Sequence, residues 1–252
     1  KKHEFKSKLC IVTDKNVAKY HLLSLLKCLK VSKIKFEVLV LNPGEKTKSW
    51  FNLKKVVEWL ISNQVERNDF IVSLGGGVIG DLTGFACSIT RRGMKIIHMP
   101  TTLLSQVDSS IGGKNGINSL FGKNLIGTFY HPSEVIIDTE VLKSLPKREL
   151  KSGYSEIIKH SLINDSIFFN WLEKNYLSLF KLNTKVLEET IYRSIMIKLY
   201  YVKKDPYENL INSNSRAMLN FGHTIGHSLE TFYKYNKLNH GEAISIGMIC
   251  EA

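Results

Sequence analysis

The sequence predicts an α/β protein in which a domain built on a mainly parallel sheet precedes an all-helical domain. Up to about residue 145, short apolar runs of strand length alternate with segments of helical periodicity. This alternation is typical of a parallel sheet that helices cover on both faces. After Pro146 the chain contains long helical patterns and no convincing strand. We therefore predict one domain at residues 1–146 and a second at residues 147–252.

Each predicted element follows from its periodicity. Apolar runs predict strands at 9–12, 36–41, 70–74, 95–99 and 135–138. Apolar residues at helical spacing predict helices at 17–29 and 49–61 and a third that ends at Ile89. In the second half, the same spacing predicts helices at 149–163, 165–179 and 186–202.

Composition excludes several classes of protein. The 252 residues are 43% hydrophobic and 23% charged, which is the balance of a globular protein rather than a disordered one. The net charge of +12 comes from 29 lysines and only 6 arginines, with no basic stripe interleaved with aromatic residues. We therefore expect no nucleic-acid partner, and expect some lysines to face an anionic small molecule.

The remaining composition concerns the compartment and the ends of the chain. The apolar runs are too short to span a bilayer, so we expect no membrane association. The cysteines are isolated from one another, which fits the reducing cytoplasm. The chain begins at Lys1 and ends inside a helical pattern at Ala252, so we expect a fragment whose C-terminal part is missing.

A glycine turn follows the third predicted strand. Gly75, Gly77 and Gly80 fit the pattern G-x-G-x-x-G, and a helical pattern begins directly after them. Such a turn lets backbone N–H groups at a helix N-terminus approach phosphate, so it predicts a dinucleotide site. About 20 residues on, the sequence has threonines where a ribose-binding acid is usual, which leaves Glu45 and Asp81 as candidates for that task.

A second polar segment covers residues 100–116 and continues at 122–127. It is rich in glycine and small residues and includes Asp108, Lys114, Lys123 and Asn124. Such a composition does not favour a core element. We predict a loop whose backbone approaches an anionic substrate.

Histidines and a carboxylate in the second half predict a metal site. His223 and His227 are four residues apart and share a helical face, His240 follows, and Glu156 lies on an earlier helix. One carboxylate with two imidazoles is a common catalytic zinc set. Spacing alone favours His223 with His227, but it does not exclude His223 with His240, which would leave His227 to carry protons.

The segments together resemble the 3-dehydroquinate synthase family. The similarity extends from about Asn42 to the end of the chain. The motifs that show it are GGGVIGDLTGF (75–85), PTTLL (100–104), VDSSIGGK (107–114), GKNLIG (122–127), SEIIK (155–159), LNFGHTIGH (219–227) and HGEA (240–243). Two departures stand out. The interval from Glu208 to Arg216 is longer than is usual in the family, and Asp205-Pro206 replaces the usual acidic pair.

The resemblance implies NAD and a zinc or cobalt ion as cofactors, with the metal held by Glu156, His223 and His240. It implies NAD contacts at Gly44, Glu45, Lys48, Gly76, Gly77, Val78, Ile79, Gly80, Asp81, Thr101, Thr102, Lys114, Lys123, Val141, Leu142, Lys143 and Ser144. It implies substrate and proton handling by Asp108, Lys114, Lys123, Asn124, Lys159, Lys198, Glu208, Arg216, Asn220 and His227.

The implied reaction is a phosphorus–oxygen lyase step of the shikimate pathway. A linear seven-carbon heptulosonate phosphate becomes 3-dehydroquinate and phosphate, with transient oxidation by NAD, elimination, re-reduction and aldol closure. A cytoplasmic homodimer is implied as well. Three alternatives remain: another NAD- and metal-dependent sugar-phosphate cyclase such as 2-deoxy-scyllo-inosose synthase, a metal-dependent polyol dehydrogenase, and a non-catalytic binding protein.

Overall fold

The computed structural model describes residues 9–233 and 237–252, and the described chain forms two compact units. The first contains the chain up to Thr101 and Gly113–Asp138, and the second contains Thr102–Gly112 and Thr139–Ala252. The predicted boundary at residue 146 therefore falls inside the second unit, and residues 102–112 leave the predicted first domain. Residues 1–8, which the prediction placed in that domain, lie outside the described part.

A five-stranded parallel sheet forms the centre of the first unit. The strands of the chain are β1 (Leu9–Asp14), β2 (Phe36–Leu41), β3 (Phe70–Gly75), β4 (Lys95–Pro100), β5 (Lys114–Ser119), β6 (Gly122–Phe129) and β7 (Glu134–Val135). The sheet has the order β2-β1-β3-β4-β7, and every neighbouring pair is parallel. The predicted α/β class is confirmed. The last strand is shorter than predicted, although the Ile136 N–H still donates to His98 of β4 at 2.8 Å.

Helices cover both faces of this sheet. They are α1 (Lys15–Val17), a π-helical segment (Ala18–Leu22), α2 (Leu23–Val31), α3 (Trp50–Ser62) and α4 (Gly77–Ile89), with 3₁₀ turns at Glu45–Thr47 and Thr90–Arg92. Alternate strand residues face opposite sides, so Val12 and Ile71 pack in one core with residues of α3 and α4. Ile11 and Val72 pack on the other side, with Leu29 of α2. Each such fully buried aliphatic side chain contributes about 1.5–3 kcal/mol.

Much of the predicted loop at 100–116 and 122–127 is instead regular structure, because residues 114–119 and 122–129 pair as an antiparallel hairpin. Strands β5 and β6 pair from Lys114↔Phe129 to Ser119↔Gly122, and Ile117 is fully buried against the sheet domain's core. Gly116 and Gly127 lie opposite each other, and a Cβ on Gly116 would meet the carbonyl oxygen of Ile126 at 2.5 Å. The glycines therefore permit close strand pairing, which explains why a segment so poor in side chains is regular structure.

The second unit is helical, as predicted. Its helices are α5 (Lys147–Asn164), α6 (Ser166–Phe180), α7 (Thr184–Lys204), α8 (His223–Phe232) and α9 (His240–Glu251), with a π-helical segment at Ser105–Ser109 and 3₁₀ turns at Thr139–Ser144 and Arg216–Asn220. Side chains cap several of them: Asp165 accepts from Phe168 N at 2.8 Å, and Asn183 accepts from Val186 N at 3.2 Å. Within the described residues, no helix is both long and apolar enough to cross a membrane.

Close packing on α5 explains why residues 102–112 belong to this unit. Gly153 of α5 leaves so little room that a Cβ there would lie 2.5 Å from Leu104 N and 2.7 Å from Leu103 Cβ. Leu103 and Val107 are completely buried. The segment is polar in composition, but its few apolar residues fix it to the helices, and the loop prediction was wrong on this point.

Candidate active site

The glycine turn of the first unit presents backbone donors rather than side chains. Gly76 is the N-cap of α4 and, among the described residues, no side chain caps this helix end. The first N–H groups of a helix have no partner inside the helix, so they remain available for an anion. Ile79 points into the core, whereas a Cβ on Gly80 would meet only the His98 ring, at 3.9 Å. The turn therefore exposes an open backbone surface.

A hydrogen-bonded cluster joins this helix to the turn after β2 and to the hairpin. Lys48 is 4% exposed, and its Nζ lies 2.6 Å from Asp81 Oδ2 and also donates to Asn124 Oδ1. Glu45 Oε1 accepts from Asn118 Nδ2 at 2.8 Å, and Asn118 Oδ1 accepts from Asn124 N at 3.0 Å. The structure thus brings together Glu45, Lys48 and Asp81, which the sequence assigned to NAD, with Asn124, which it assigned to substrate.

The other predicted nucleotide contacts are divided between the units. Thr101 lies beside the turn: its N–H donates to Gly75 O at 3.0 Å, and its buried Oγ1 has no partner among the described residues. Lys114 and Lys123 lie on the hairpin strands β5 and β6. The predicted contacts Thr102 and Val141–Ser144 belong to the second unit, where Thr102 Oγ1 bonds Ser105 Oγ at 2.9 Å. Leu142 is fully buried in that unit.

Three side chains of the second unit converge as the metal prediction requires. Glu156 Oε1 lies 3.3 Å from His240 Nε2 and 3.7 Å from His223 Nε2. A tetrahedral zinc shell with bonds of about 2.1 Å has ligand–ligand edges of about 3.4 Å. The spacing of the donor atoms therefore fits a small tetrahedral cation. Of the two histidine pairings that spacing left open, the geometry favours His223 with His240.

Glycines allow the two histidine-bearing helices to approach closely. A Cβ on Gly222, which has φ +80°, would lie 2.6 Å from Met248 Cγ. A Cβ on Gly226 would lie 2.7 Å from Ile244 Cδ1, and one on Gly247 would overlap the Gly222 carbonyl. Because backbone packs on backbone along α8 and α9, His223 and His240 reach the same point with a ring separation of 5.4 Å.

The start of α9 is fixed just as firmly. Asn239 and Glu242 form a capping box, in which Glu242 N donates to Asn239 Oδ1 at 2.9 Å and Asn239 N donates to Glu242 Oε2 at 2.9 Å. Gly241 N donates to Ser152 Oγ of α5 at 2.9 Å, with no room for a Cβ between them. The first residue of α9, His240, is thereby held beside α5 and Glu156.

The surroundings of the cluster shift the pKa values of Glu156 and His223 downward and that of His240 upward. Burial opposes ionisation of Glu156, but an ion pair with Lys159 and the nearby histidines hold its pKa well below the usual range. Burial lowers the pKa of His223 to about 4. Burial alone would also lower the pKa of His240, but hydrogen bonding to Glu156 and Glu230 raises it to about 9.

Next to this cluster lies a second ion pair, between the buried Lys198 and the half-buried Asp108. Lys198 Nζ is 2.5 Å from both Asp108 Oδ1 and the Asp108 carbonyl oxygen. Burial opposes the charge of Asp108, yet Lys198 holds the pKa of this carboxyl well below its usual range. His160 lies beside Asp108, with Nε2 3.9 Å from Oδ1, and its Nδ1 is 2.7 Å from Ser194 Oγ. Burial lowers the pKa of His160 to about 3, so its ring is neutral.

The long interval between Glu208 and Arg216 forms a loop that brings Glu208 back to the turn containing Arg216 and Asn220. Asp205 accepts from Asn209 N at 2.8 Å, from Leu210 N at 3.2 Å and from Arg216 N at 3.0 Å, so one carboxylate closes the whole loop. Glu208 Oε1 then accepts from Asn220 Nδ2 at 2.8 Å. The extra residues therefore leave Glu208 bonded to Asn220, another residue that the resemblance assigns to substrate handling.

A glycine provides the space for the Arg216 guanidinium. Gly112 has φ +98°, and a Cβ on it would overlap Arg216 Nη2. Arg216 itself is buried, and its Nη1 donates to Pro206 O at 3.0 Å. The glycine at position 112 therefore makes room for the Arg216 side chain, in addition to permitting a close backbone approach.

His227 lies at the edge of the metal cluster rather than in it. Its side chain is 61% exposed, and its ring centroid is 5.1 Å from that of His223. Sequence reasoning gave no role to His160, Ser194 or Glu230, and it noted Asp205 only as a departure from the family pattern. Glu230 had a detectable signal, since it follows His227 by three residues on the same helical face.

Comparison with known proteins assigns the architecture to a class. A solved 2-epi-5-epi-valiolone synthase from Streptomyces hygroscopicus subsp. jinggangensis, with NAD+ and Zn2+ bound, superposes with a TM-score of 0.90 at 29% identity, over 96% of this chain and 67% of that one. A 2-deoxy-scyllo-inosose synthase complexed with carbaglucose-6-phosphate, NAD+ and Co2+ gives 0.85 at 31% identity, over 96% and 66%. The parallel-sheet unit and the helical unit are those of the sugar-phosphate cyclases.

Sequence comparison identifies the family. The family model for the N-terminal part of 3-dehydroquinate synthase matches residues 38–152, and the model for its C-terminal part matches residues 153–252. A 3-dehydroquinate synthase of Bartonella tribocorum is 49% identical over 256 aligned positions, which cover 98% of this chain and 67% of that protein. The chain belongs to the 3-dehydroquinate synthase family. It spans about two thirds of the length of the curated relatives it matches.

Proposed function

We propose that this protein converts 3-deoxy-D-arabino-heptulosonate 7-phosphate into 3-dehydroquinate and phosphate, as a cytoplasmic phosphorus–oxygen lyase of the shikimate pathway. The observation that supports this best is the convergence of Glu156, His223 and His240 in a chain that belongs to the 3-dehydroquinate synthase family. Its partners are then an anionic sugar phosphate and, as the resemblance implies, a second copy of the chain.

We assign NAD to the first unit's glycine turn and zinc or cobalt to the Glu156 cluster. When bound, NAD supplies a reversible hydride acceptor and the metal supplies polarisation of a substrate oxygen. The uncapped N-terminus of α4 and the partnerless Thr101 Oγ1 support the first assignment. The donor spacing of 3.3 and 3.7 Å supports the second. Glu45 is the carboxylate we assign to the ribose hydroxyls, because Lys48 already pairs Asp81.

The cations of the second unit bind the substrate's anionic groups. Arg216 presents a planar guanidinium suited to bidentate contact with phosphate, and Gly112 leaves it room. Asn220, held by Glu208, donates beside it. We assign Lys114 of the first unit to an anionic ligand as well. Arg216 and Asn220 are fixed by hydrogen bonds to Pro206 and Glu208, so little reorganisation is needed as charge develops on the leaving group.

Lys159 and Lys198 hold the carboxylate and hydroxyl groups of the substrate. Each is buried and already paired, Lys159 with Glu156 and Lys198 with Asp108. An ammonium has three protons, so Lys159 has two further protons to offer, and Lys198, which also donates to the Asp108 carbonyl oxygen, has one. His227, which is exposed next to His223, takes and returns the proton that elimination requires.

The experiment that tests this proposal measures two products at once. The protein is incubated with the heptulosonate phosphate, NAD and Zn2+, and both phosphate and absorbance at the nicotinamide are followed. We expect phosphate release without net NADH, and we expect a chelator or His223→Ala to abolish it. Phosphate release that continues in the presence of a chelator would contradict the metal assignment. Absence of any phosphate release would contradict the proposed synthase activity.

The same assay separates the alternatives. A polyol dehydrogenase would accumulate NADH with a polyol and release no phosphate. A 2-deoxy-scyllo-inosose synthase would release phosphate from glucose 6-phosphate, which has no carboxylate, and we expect no turnover of that sugar here. A non-catalytic binding protein would turn over neither substrate.

A further inference from the structure

His240 lies between two carboxylates, one on each nitrogen of its ring. Its Nε2 is 3.3 Å from Glu156 Oε1, and its Nδ1 is 3.5 Å from Glu230 Oε2. Glu230 is 3% exposed, although it stands in α8 near an exposed histidine. A carboxylate is expensive to bury without compensation, so its position inside the unit needs a reason.

The chemistry of a metal-binding imidazole supplies that reason. A histidine that offers the Nε2 lone pair to a cation keeps its remaining proton on Nδ1. A buried Nδ1–H requires an acceptor, and a carboxylate in that position fixes both the tautomer and the ring orientation and makes the ligand nitrogen more basic. Of the described carboxylates, Glu230 is the one that the structure places within ion-pair range of this atom.

We propose that Glu230 is a positioning residue that orients His240 for the metal through its Nδ1. This inference rests on the metal site proposed above, and it assigns a task to a side chain outside the set Glu156, His223 and His240. The helix that presents His223 thereby also presents the carboxylate that controls the other histidine. One helix would then set the geometry of two ligands.

The spacing along α8 supports this division of tasks. Residues 223, 227 and 230 are separated by four and then three positions, so all three lie on one helical face. Glu230 Oε2 is 3.9 Å from His227 Nε2, farther than from His240 Nδ1. The exposed His227 can bond water instead, whereas His240 is held at the fixed start of α9.

The test measures metal binding and does not depend on turnover. The parent protein, Glu230→Gln and Glu230→Ala are titrated with Zn2+ against a chelating indicator, and the Co2+ forms are compared by visible absorption. Carboxylates of this kind typically change metal affinity by 10–100-fold. We expect about a 100-fold weaker Zn2+ affinity for the alanine variant. The glutamine variant keeps an acceptor but loses the charge, so we expect an intermediate loss of about tenfold. Both should show an altered Co2+ spectrum.

Two controls make the result decisive. Glu188→Gln removes an exposed carboxylate from α7 of the same unit and should leave affinity and spectrum unchanged. His223→Ala should abolish binding. If His223→Ala binds Zn2+ like the parent, the proposed metal site itself is wrong. If His223→Ala fails to bind while both Glu230 variants bind like the parent with an unchanged Co2+ spectrum, the site stands and the role of Glu230 is wrong.

A folding defect would not leave the proposal undecided. Circular dichroism of the metal-free proteins checks the fold first. Should the alanine variant fail to fold, Glu230→Asp replaces it, because aspartate keeps the charge but withdraws the oxygen from Nδ1 by one methylene. Parental affinity in Glu230→Asp together with parental affinity in Glu230→Gln would overturn the inference.

Discussion

The glycine turn of the first unit and the Glu156 cluster of the second unit are built on opposite principles. The turn offers backbone N–H groups at the start of α4, and the side chains nearby either point away, as Ile79 does, or are absent. The cluster offers side-chain atoms only, on helices α5, α8 and α9, with Glu156 fully buried and the two histidines half-buried. In the turn, the missing side chains of glycine leave backbone N–H groups accessible. In the cluster, packing of the helices brings charged side chains into contact.

This difference predicts different costs of change. At Gly80 of the turn, where a Cβ has open space, a substitution acts on the ligand and hardly on the fold. In the cluster, each charge compensates another, as Lys159 does for Glu156 and Lys198 for Asp108, so a substitution acts on the fold as well. The predictions below test that contrast, beginning with the largest effect.

Glu156→Ala should produce the largest loss. It leaves the Lys159 ammonium buried without its ion-pair partner, and breaking a buried pair in this way costs about 3–5 kcal/mol. We expect this fall in the free energy of unfolding by urea denaturation of the metal-free protein, together with loss of Zn2+ binding.

The double variant Glu156→Leu with Lys159→Met is the matched control. It replaces the pair by apolar groups of similar volume, which is often neutral for stability. We expect most of the stability to return while Zn2+ binding stays lost. A single variant as stable as the parent would show that the cluster is not mutually compensated.

Gly112→Ala should have the next largest effect, of about 3 kcal/mol, because it combines a strained positive φ with overlap on Arg216 Nη2. Gly44→Ala is the control, since Gly44 has φ +95° but nothing within 4 Å of a Cβ. Urea denaturation of both variants separates strain from overlap. Equal losses would mean that the Arg216 guanidinium moves aside freely.

Two glycines of α4 separate an effect on the fold from an effect on NAD binding. A Cβ on Gly84 would overlap Asn115 Oδ1, and Asn115 is held by bonds to Gly113 O and Tyr130 O, both at 2.8 Å. Gly84→Ala should therefore cost about 1–2 kcal/mol. Gly80→Ala has open space and should leave the melting temperature unchanged or slightly raised.

Of these two variants, we expect the one with unchanged stability, Gly80→Ala, to have the larger loss of NAD affinity. Gly80→Ala places a methyl group on the open backbone surface and should weaken NAD binding by tenfold or more, measured by calorimetry. If Gly80→Ala instead lowers stability and leaves NAD binding intact, the contrast between the two sites fails in the first unit.

The smallest effect concerns pH. Although burial opposes its charge, hydrogen bonds from backbone N–H groups lower the pKa of Asp205 from its usual value. Its stabilising contribution is therefore present above the unfolded pKa of about 3.9 and is lost as pH falls through the folded pKa. We expect Asp205→Asn to be less stable than the parent at pH 6, with the difference shrinking below about pH 4. If the stability difference between the parent and Asp205→Asn increased as the pH fell below about 4, the predicted pH dependence would be wrong.

The fold was largely predictable because its strands and helices have strong periodicity. The five parallel strands and helices α5, α6 and α7 all appear where apolar spacing predicted them. The hairpin was not, because Gly116 and Gly127 contribute no hydrophobic signal and their effect is to let strands pair closely. Likewise, Thr102–Gly112 joins the second unit through Leu103 and Val107, two apolar residues in a polar stretch.

The candidate site shows the same limit. Residue spacing marked Glu156 and His223 as metal candidates but favoured His227 as the second histidine, whereas the packing of α8 on α9 places His240 beside Glu156. His160 and Ser194 are distant in sequence and bond each other inside the unit, which no local pattern reveals. Asp205 was visible only as a departure from the family's usual acidic pair.

The ion pair of Glu156 with Lys159 also has a consequence for the order in which the molecule is assembled. The two residues are three apart on α5, so their pair can form as soon as that helix does. His240 is 84 residues further along the chain, and a ribosome adds residues at only about 5–20 per second. During those seconds the lysine already neutralises the carboxylate that the histidines will later surround. The nascent helix is thus spared an isolated charge on its buried face, and the last part of the cluster to be synthesised meets a site that is already balanced.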